Sequence, residues 1–304
     1  MNHGYERAPG YNAIGHCGRP ACMISYMRCI LTLPRAFNLE GAVLSMKERI
    51  YTIPITEAFN QDSECPLCLC EKKLESDALE YAIGPSMMEP DSRIETNRIG
   101  FCTRHFTRLY NLQKNRLALG LVIDTHMIEQ IADLEKIYDK YKDAIVRECS
   151  KGLLDAAADS LSGRKTSSAK FTEDAVKKLE ALENDCAVCD RIRNNMDKFI
   201  GVTLYLFFKE PDFRQRFEAT KGFCLKHMKM LLKSALKEFS PGKQAEFIKT
   251  LVPIQIQHLK RVQGEVCHFT EMFDYRNQGG DWKNSRDAVP RSIEKICGPC
   301  DLER

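Results

Sequence analysis

Four short motifs carry the chemistry of this chain. Two are Cys-x2-Cys pairs, Cys65 and Cys68 in CPLC and Cys186 and Cys189 in CAVC. Two are Cys-x2-His pairs, Cys102 and His105 in GFCTRH and Cys224 and His227 in GFCLKH. A Cys-x2-Cys followed after 33 or 34 residues by a Cys-x2-His offers three thiolates and one imidazole. Zn²⁺ is satisfied by four such ligands in a tetrahedron, and a gap of two residues lets a pair converge on one ion. Read in chain order, the motifs give two expected quartets: Cys65, Cys68, Cys102 and His105, then Cys186, Cys189, Cys224 and His227. Thiolates also suit iron or an iron–sulfur cluster, so those stay as alternatives to zinc. A full set of protein ligands leaves no open position for substrate or water, which points away from catalysis at these ions. No phosphate loop, nucleophile elbow or paired carboxylates stand out, so no catalytic residue is assigned.

Such ligands need elements to aim them. Residues three apart share a helical face, and each pair opens a helical pattern. The half-sites are therefore expected at helix N-termini, where free N–H groups and the helix dipole favour thiolate charge. Gly100 and Gly222 would permit the turn into the Cys-x2-His helices. Phe101 and Phe223 would pack over the metal.

The motifs recur in register. At an offset of 121, CPLC falls on CAVC and EPDSR (Glu89 to Arg93) on EPDFR (Glu210 to Arg214); one insertion later GFCTRH falls on GFCLKH. The chain reads as two copies of one unit. The expected organisation is an N-terminal extension over 1–45, a first metal-binding unit over 46–159, a linker over 160–170, a second unit over 171–275 and a C-terminal arm over 276–304. The extension is Gly- and Pro-containing, aperiodic and expected to be disordered. It sets Cys17, Cys22 and Cys29 outside the fold. Cys70 and Cys149 have no cysteine counterpart in the other copy and read as incidental.

The periodicity is helical almost throughout. Met127, Ile131, Leu134, Tyr138, Tyr141 and Ile145 form one stripe. Thr172 is the expected N-cap of FTEDAVKKLEALEN, with Phe171 and Val176 as a hydrophobic staple. Gly222 is a suitable C′ residue for RQRFEATKG. Leu259, Val262, Val266, Phe269 and Phe273 would face a core. Only RIYTIPI looks extended. KKLESDALE and KDAIVRECSK read as solvated faces. The expected class is all-α.

Two features lack a repeat partner. CGPC (Cys297, Cys300) matches a dithiol motif but has no strand before it; it is a redox tail, a third metal half-site or neither. The stretch FDYRNQGGDWKNSRDAVPR gathers Tyr275, Arg276, Trp282, Lys283, Arg286 and Arg291 and is either a recognition surface or an arm packed onto the helices. His126, His258 and His268 read as core or surface histidines rather than ligands.

Composition limits the rest. The chain has 304 residues, 14 cysteines, 7 histidines and a net charge of +3. That charge is too small to argue for nucleic acid. No apolar run reaches the roughly 18 residues of a membrane span, and paired cysteines in a chain without a clean signal peptide suit the cytoplasm.

The stretches MKERIYTIPITEAF, CPLC, GPSMMEPDSRIETNRIGFCTRHF, LVIDTH, KGFCLKH and FDYRNQGGDWKNSRDAVPR together resemble the bacterial domain-of-unknown-function 6062 family. The resemblance runs from Met46 to about Arg291 and implies a cytoplasmic Cys-rich protein whose natural start is Met46. It implies no particular activity, and the terminal CGPCDLER lies outside it. The leading expectation is a non-enzymatic protein built on two structural zinc ions that binds a protein or small-molecule partner. A redox protein using iron–sulfur clusters or the Cys297–Cys300 dithiol is one alternative. A zinc-finger-like nucleic-acid binder is the other.

Overall fold

The computed structural model describes residues 51–150, 165–277 and 279–302. Eleven helices and no strand occur among them. The first, α1, includes residues 51–59. It is followed by α2 (Pro66–Ala82), α3 (Pro90–Ile99), α4 (Thr103–Asn111) and α5 (Arg116–Cys149). Then come α6 (Ser167–Asn184), α7 (Ala187–Lys209), α8 (Pro211–Glu218), α9 (Leu225–Glu238), α10 (Pro241–Glu271) and α11 (Ala288–Cys297). The helices belong to one compact unit, Arg49–Arg304. The expected extension over 1–45 and its cysteines lie outside the described residues.

The helix order repeats along the chain. Cys65 and Cys186 are the N-caps of α2 and α7, Glu89 and Glu210 those of α3 and α8, and Cys102 and Cys224 those of α4 and α9. Pro90 and Pro211 each take the first position of their helix, where a missing N–H costs nothing.

The centre of the fold is α2 packed along α7, with α8, α9 and α10 closing around α7. Phe207, Phe217, Phe223 and Phe247 are fully buried there. Phe207 meets Phe247 edge-on with ring centroids 5.2 Å apart, and Phe217 lies 5.2 Å from Phe223. Helix α1 joins this cluster. Phe59 packs on Phe213, Phe217 and Phe223, and Tyr51 on Phe199. Residues 51–59 are thus helical, not extended. Ile55, Ala58 and Phe59 are buried at helical spacing, and packing overrides the β-branched local preference.

Helix α5 starts in the core against α3 and farther along pairs with α6, away from the core. No residue of α6 is buried, and in α5 only Ala118, Leu119 and Val122 are. The stripe of Met127, Ile131, Leu134 and Tyr138 is exposed. Helix α6 begins at Ser167, capped by the Thr166 hydroxyl, which accepts from the Ala169 N–H at 3.2 Å. Thr172 is therefore inside the helix and bonds back to the Ser168 carbonyl, and Phe171 packs edge-on against Tyr138 and Tyr141. The last four residues of the expected linker, 167–170, are helical. Phe273 is exposed and Met272 is buried in its place. Helix α8 ends at Glu218, so Gly222 is not its C′ residue; with φ of 76° it instead makes the turn into Phe223 and Cys224.

The C-terminal arm packs back. Trp282 sits against Phe269 and Phe273. Helix α11 lies on α9 and α10. Its Lys295 is 1% exposed, a burial an ammonium tolerates only with close partners.

Candidate metal centres

The eight candidate ligand residues form two groups, and the grouping crosses the halves of the chain. Cys65 and Cys68 meet Cys224 and His227; Cys102 and His105 meet Cys186 and Cys189. Within each group the candidate ligand atoms all lie within 4.8 Å of one another. The expected grouping of each Cys-x2-Cys with the Cys-x2-His that follows it is thus corrected. Spacing fixes which two residues share a helix start. Tertiary packing decides which helix starts meet, and the lateral packing of α2 on α7 brings each pair to the opposite half's Cys-x2-His.

The distances suit one ion per group. For Zn–S near 2.3 Å and Zn–N near 2.0–2.1 Å, a regular tetrahedron has edges of about 3.8 Å between sulfurs and about 3.6 Å between sulfur and nitrogen. In the first centre, Cys68 Sγ is 3.6 Å from Cys224 Sγ. His227 Nδ1 lies 3.5, 3.5 and 3.1 Å from the sulfurs of Cys65, Cys68 and Cys224. In the second centre, Cys102 Sγ is 4.0 Å from Cys189 Sγ. His105 Nδ1 lies 3.3, 3.2 and 3.4 Å from the sulfurs of Cys102, Cys186 and Cys189. Both imidazoles turn Nδ1 to the sulfurs.

Both also turn Nε2 to a carboxylate of α2, buried for Glu75 and half-buried for Glu71. His105 Nε2 is 3.0 Å from Glu75 Oε1, and His227 Nε2 is 3.1 Å from Glu71 Oε2. The His105–Glu75 contact is a hydrogen bond, and an N–H held by a carboxylate fixes the ring and leaves the other nitrogen basic. His227 and Glu71 stand at ion-pair distance without hydrogen-bond alignment. Glu75 in turn pairs with Arg104 and Arg108, and Glu71 with Lys226. Glu75 is 5% exposed, so KKLESDALE is not wholly a solvated face. Sequence reading had no signal for Glu71 and Glu75, because a glutamate in a charge-rich helix looks like any other.

The electrostatics of each quartet centre on the imidazole. Burial works against charging His105, yet its contacts with Cys186 and Glu75 raise it to about 9. Burial likewise opposes charging Cys186, but His105 and backbone N–H groups bring it down to about 6, while burial pushes Cys189 up to about 12. In the first centre His227 is raised to about 11, against burial, by Cys224, Cys65 and Glu71. Hydrogen bonds from Cys65 and Cys68 lower Cys224, and contacts with Cys224 and Cys65 raise Cys68. Negative charge gathers on one sulfur beside a cationic ring in each quartet. That is the field a divalent cation enters by displacing the protons.

The backbone around the ligands is tied down. Cys186 Sγ accepts from the Cys189 N–H at 3.5 Å and Cys224 Sγ from the His227 N–H at 3.4 Å. Gly100 has φ of 63°, and a Cβ there would stand 2.7 Å from the His126 ring. His126 bonds the Asn97 carbonyl and is no ligand. Gln255, buried in α10, holds both the N–H and the C=O of Phe223 at 2.9 and 2.8 Å. At the second centre the Ala187 N–H donates to the Gly100 carbonyl at 3.1 Å, linking the two ligand loops. Pro66 stands where Ala187 does and has no N–H. At the first centre the Lys295 ammonium does the linking, donating to the carbonyls of Glu64 and Lys221. Phe101 and Phe223 are buried beside their cysteines.

Neither Cys297 nor Cys300 belongs to a group. Cys297 ends α11 and is exposed. Gly298, with φ of 90°, lies against the first centre; a Cβ there would stand 3.5 Å from Cys224 Sγ. Cys70 is buried outside both quartets, and Cys149 and Cys267 are exposed.

An all-helical chain with two Cys₃His clusters is a candidate two-centre metal-binding protein. Residues 46–303 match the family of unknown function DUF6062, and the chain belongs to that family. Comparison with curated proteins and with solved structures gives no match. No helix among the described residues is long and apolar enough to cross a membrane.

Proposed function

We propose that the protein binds two Zn²⁺ ions, one in each quartet, and that the ions fasten its two halves together. The observation that carries this is the orientation of the two histidines: Nδ1 toward three sulfurs, Nε2 toward a carboxylate of α2, twice. A packing role for eight Cys and His residues would not require that arrangement. Ligand atoms within 4.8 Å of one another favour a single ion over a cluster of several irons, which holds its ligands farther apart. Four protein ligands close the tetrahedron and suit a structural ion.

The repeated helix order and motif register support an internal duplication in which the halves exchanged partners. Zinc at such a site supplies roughly 10–16 kcal/mol of apparent binding energy, against about 5–15 kcal/mol for the net stability of a whole domain. The metal is then part of the fold, and the protein acts by binding a partner or ligand in the cytoplasm. The redox reading through Cys297 and Cys300 has less support, because a helix C-terminus disfavours thiolate charge. Metal analysis of anaerobically purified protein tests the proposal. The expected result is a colourless protein with two zinc ions per chain, falling to one in Cys102→Ser and in Cys224→Ser. Visible absorption near about 400 nm, the mark of a cluster, or unchanged metal in both variants, contradicts it.

A further inference from the structure

We infer that the two centres differ in kind: the first retains its ion, and the second, built from Cys102, His105, Cys186 and Cys189, is an exchangeable site for a soft divalent cation such as Zn²⁺ or Cd²⁺. This inference rests on the metal-binding reading and goes beyond it.

Burial separates the two centres. All four residues of the first are buried, with Cys224 and His227 at 0% exposure. In the second, Cys102 and Cys189 are partly exposed. These two reach the ion from different helices, so an incoming ligand has access to it from both halves.

The surroundings differ in the same sense. The first centre is roofed by the C-terminal arm, with Gly298 lying against Cys224 and Lys226. Beneath it, Lys295 bonds the carbonyls of Glu64 and Lys221, one on each ligand loop. Glu64 is held in turn by Arg261 at 2.6 Å and Arg291 at 3.3 Å. Opening this centre means lifting α11 and stripping partners from a buried ammonium.

At the second centre the arm stands farther from the ligand sulfurs: its Asp301 pairs with Arg104 at 3.4 Å and Arg108 at 3.5 Å, and two cavities lie alongside. One, of about 370 Å³, is lined by Phe101, Ala187 and Val188, each the chain neighbour of a ligand. The other, of about 640 Å³, lies between residues 299–302 of the arm and Glu75, Arg104 and Arg108, where Glu75 holds His105 and the two arginines hold Glu75. Cys102 and Cys189, the partly exposed members of the quartet, are where a chelating ligand meets the centre. Thiolates that are partly exposed exchange ligands by direct attack at the metal, whereas buried ones wait for local opening.

The test uses the intact zinc-loaded chain. Excess 4-(2-pyridylazo)resorcinol is added, release is followed by absorbance, and samples are pulsed with N-ethylmaleimide and mapped by peptide mass spectrometry. The expected release is biphasic, one equivalent per phase, with the first at least about tenfold faster because the second must await local opening. Labelling during the fast phase should fall on Cys102, Cys186 and Cys189, and on Cys65, Cys68 and Cys224 only in the slow phase. One phase for both equivalents, or early labelling of Cys65, Cys68 and Cys224, overturns the inequality while leaving two-zinc binding intact. A chain that never holds two equivalents overturns both.

Discussion

Glu71 and Glu75 stand one turn apart on α2, and each serves a different centre. If they orient the ligand imidazoles, Glu75→Gln should weaken zinc binding at the second centre by roughly 10–100-fold, and Glu71→Gln should do the same at the first. Competition with a calibrated chelator measures this, and an affinity within twofold of the parent would contradict the assigned role. Gln255 makes a second residue-scale case. Gln255→Leu leaves the buried N–H and C=O of Phe223 without partners, at about 1–3 kcal/mol for such a group. Denaturant unfolding of the zinc-loaded protein should show a loss in that range. The eight clustered residues were legible as candidates, because Cys-x2-Cys and Gly-Phe-Cys-x2-His mark themselves by type and spacing, but their grouping into quartets was not. Glu71, Glu75 and Gln255 were not, since their role depends on which loop lies opposite, and one-dimensional spacing says nothing of that.

At the scale of elements, α11 acts as a clamp. Lys295→Met keeps most of the side-chain volume but removes the donor to Glu64 and Lys221. It should speed zinc loss from the first centre and leave the second unchanged, read as the slow and fast phases of chelator extraction. Helices α5 and α6 behave oppositely. Helix α5 packs on α3 through Thr125, His126 and Gln130, and farther along, among the described residues, it meets only α6, through Tyr138, Tyr141 and Phe171 and the Lys140–Asp174 pair at 2.9 Å. Amide hydrogen exchange should therefore be faster across residues 127–149 and 167–184 than across α2 and α7, as expected where few apolar contacts are buried. Equal protection would contradict that description. The helical class was readable from periodicity, and the exceptions have physical causes. RIYTIPI has a β-branched composition, but Ile55 and Phe59 meet the aromatic cluster only when that stretch is a helix. The stripe of α5 has core-like periodicity, yet beyond Val122 it packs, among the described residues, against α6 alone, which leaves much of it exposed.

At the scale of the whole molecule, the account turns on connectivity. Two halves with the same helix order share their ligands, so neither half holds a complete quartet. Removing zinc should then loosen the contact between halves as well as each ligand loop. Chelation should lower the melting temperature of the intact chain, and restored zinc should recover it. The most direct measurement is zinc content in two double variants. Cys65→Ser with Cys224→Ser damages a single centre in the crossed arrangement and should leave one ion per chain. Cys65→Ser with Cys102→Ser damages both and should leave none. The reverse outcome, one ion in the second variant and none in the first, would mean that each half closes its own quartet and would contradict the account.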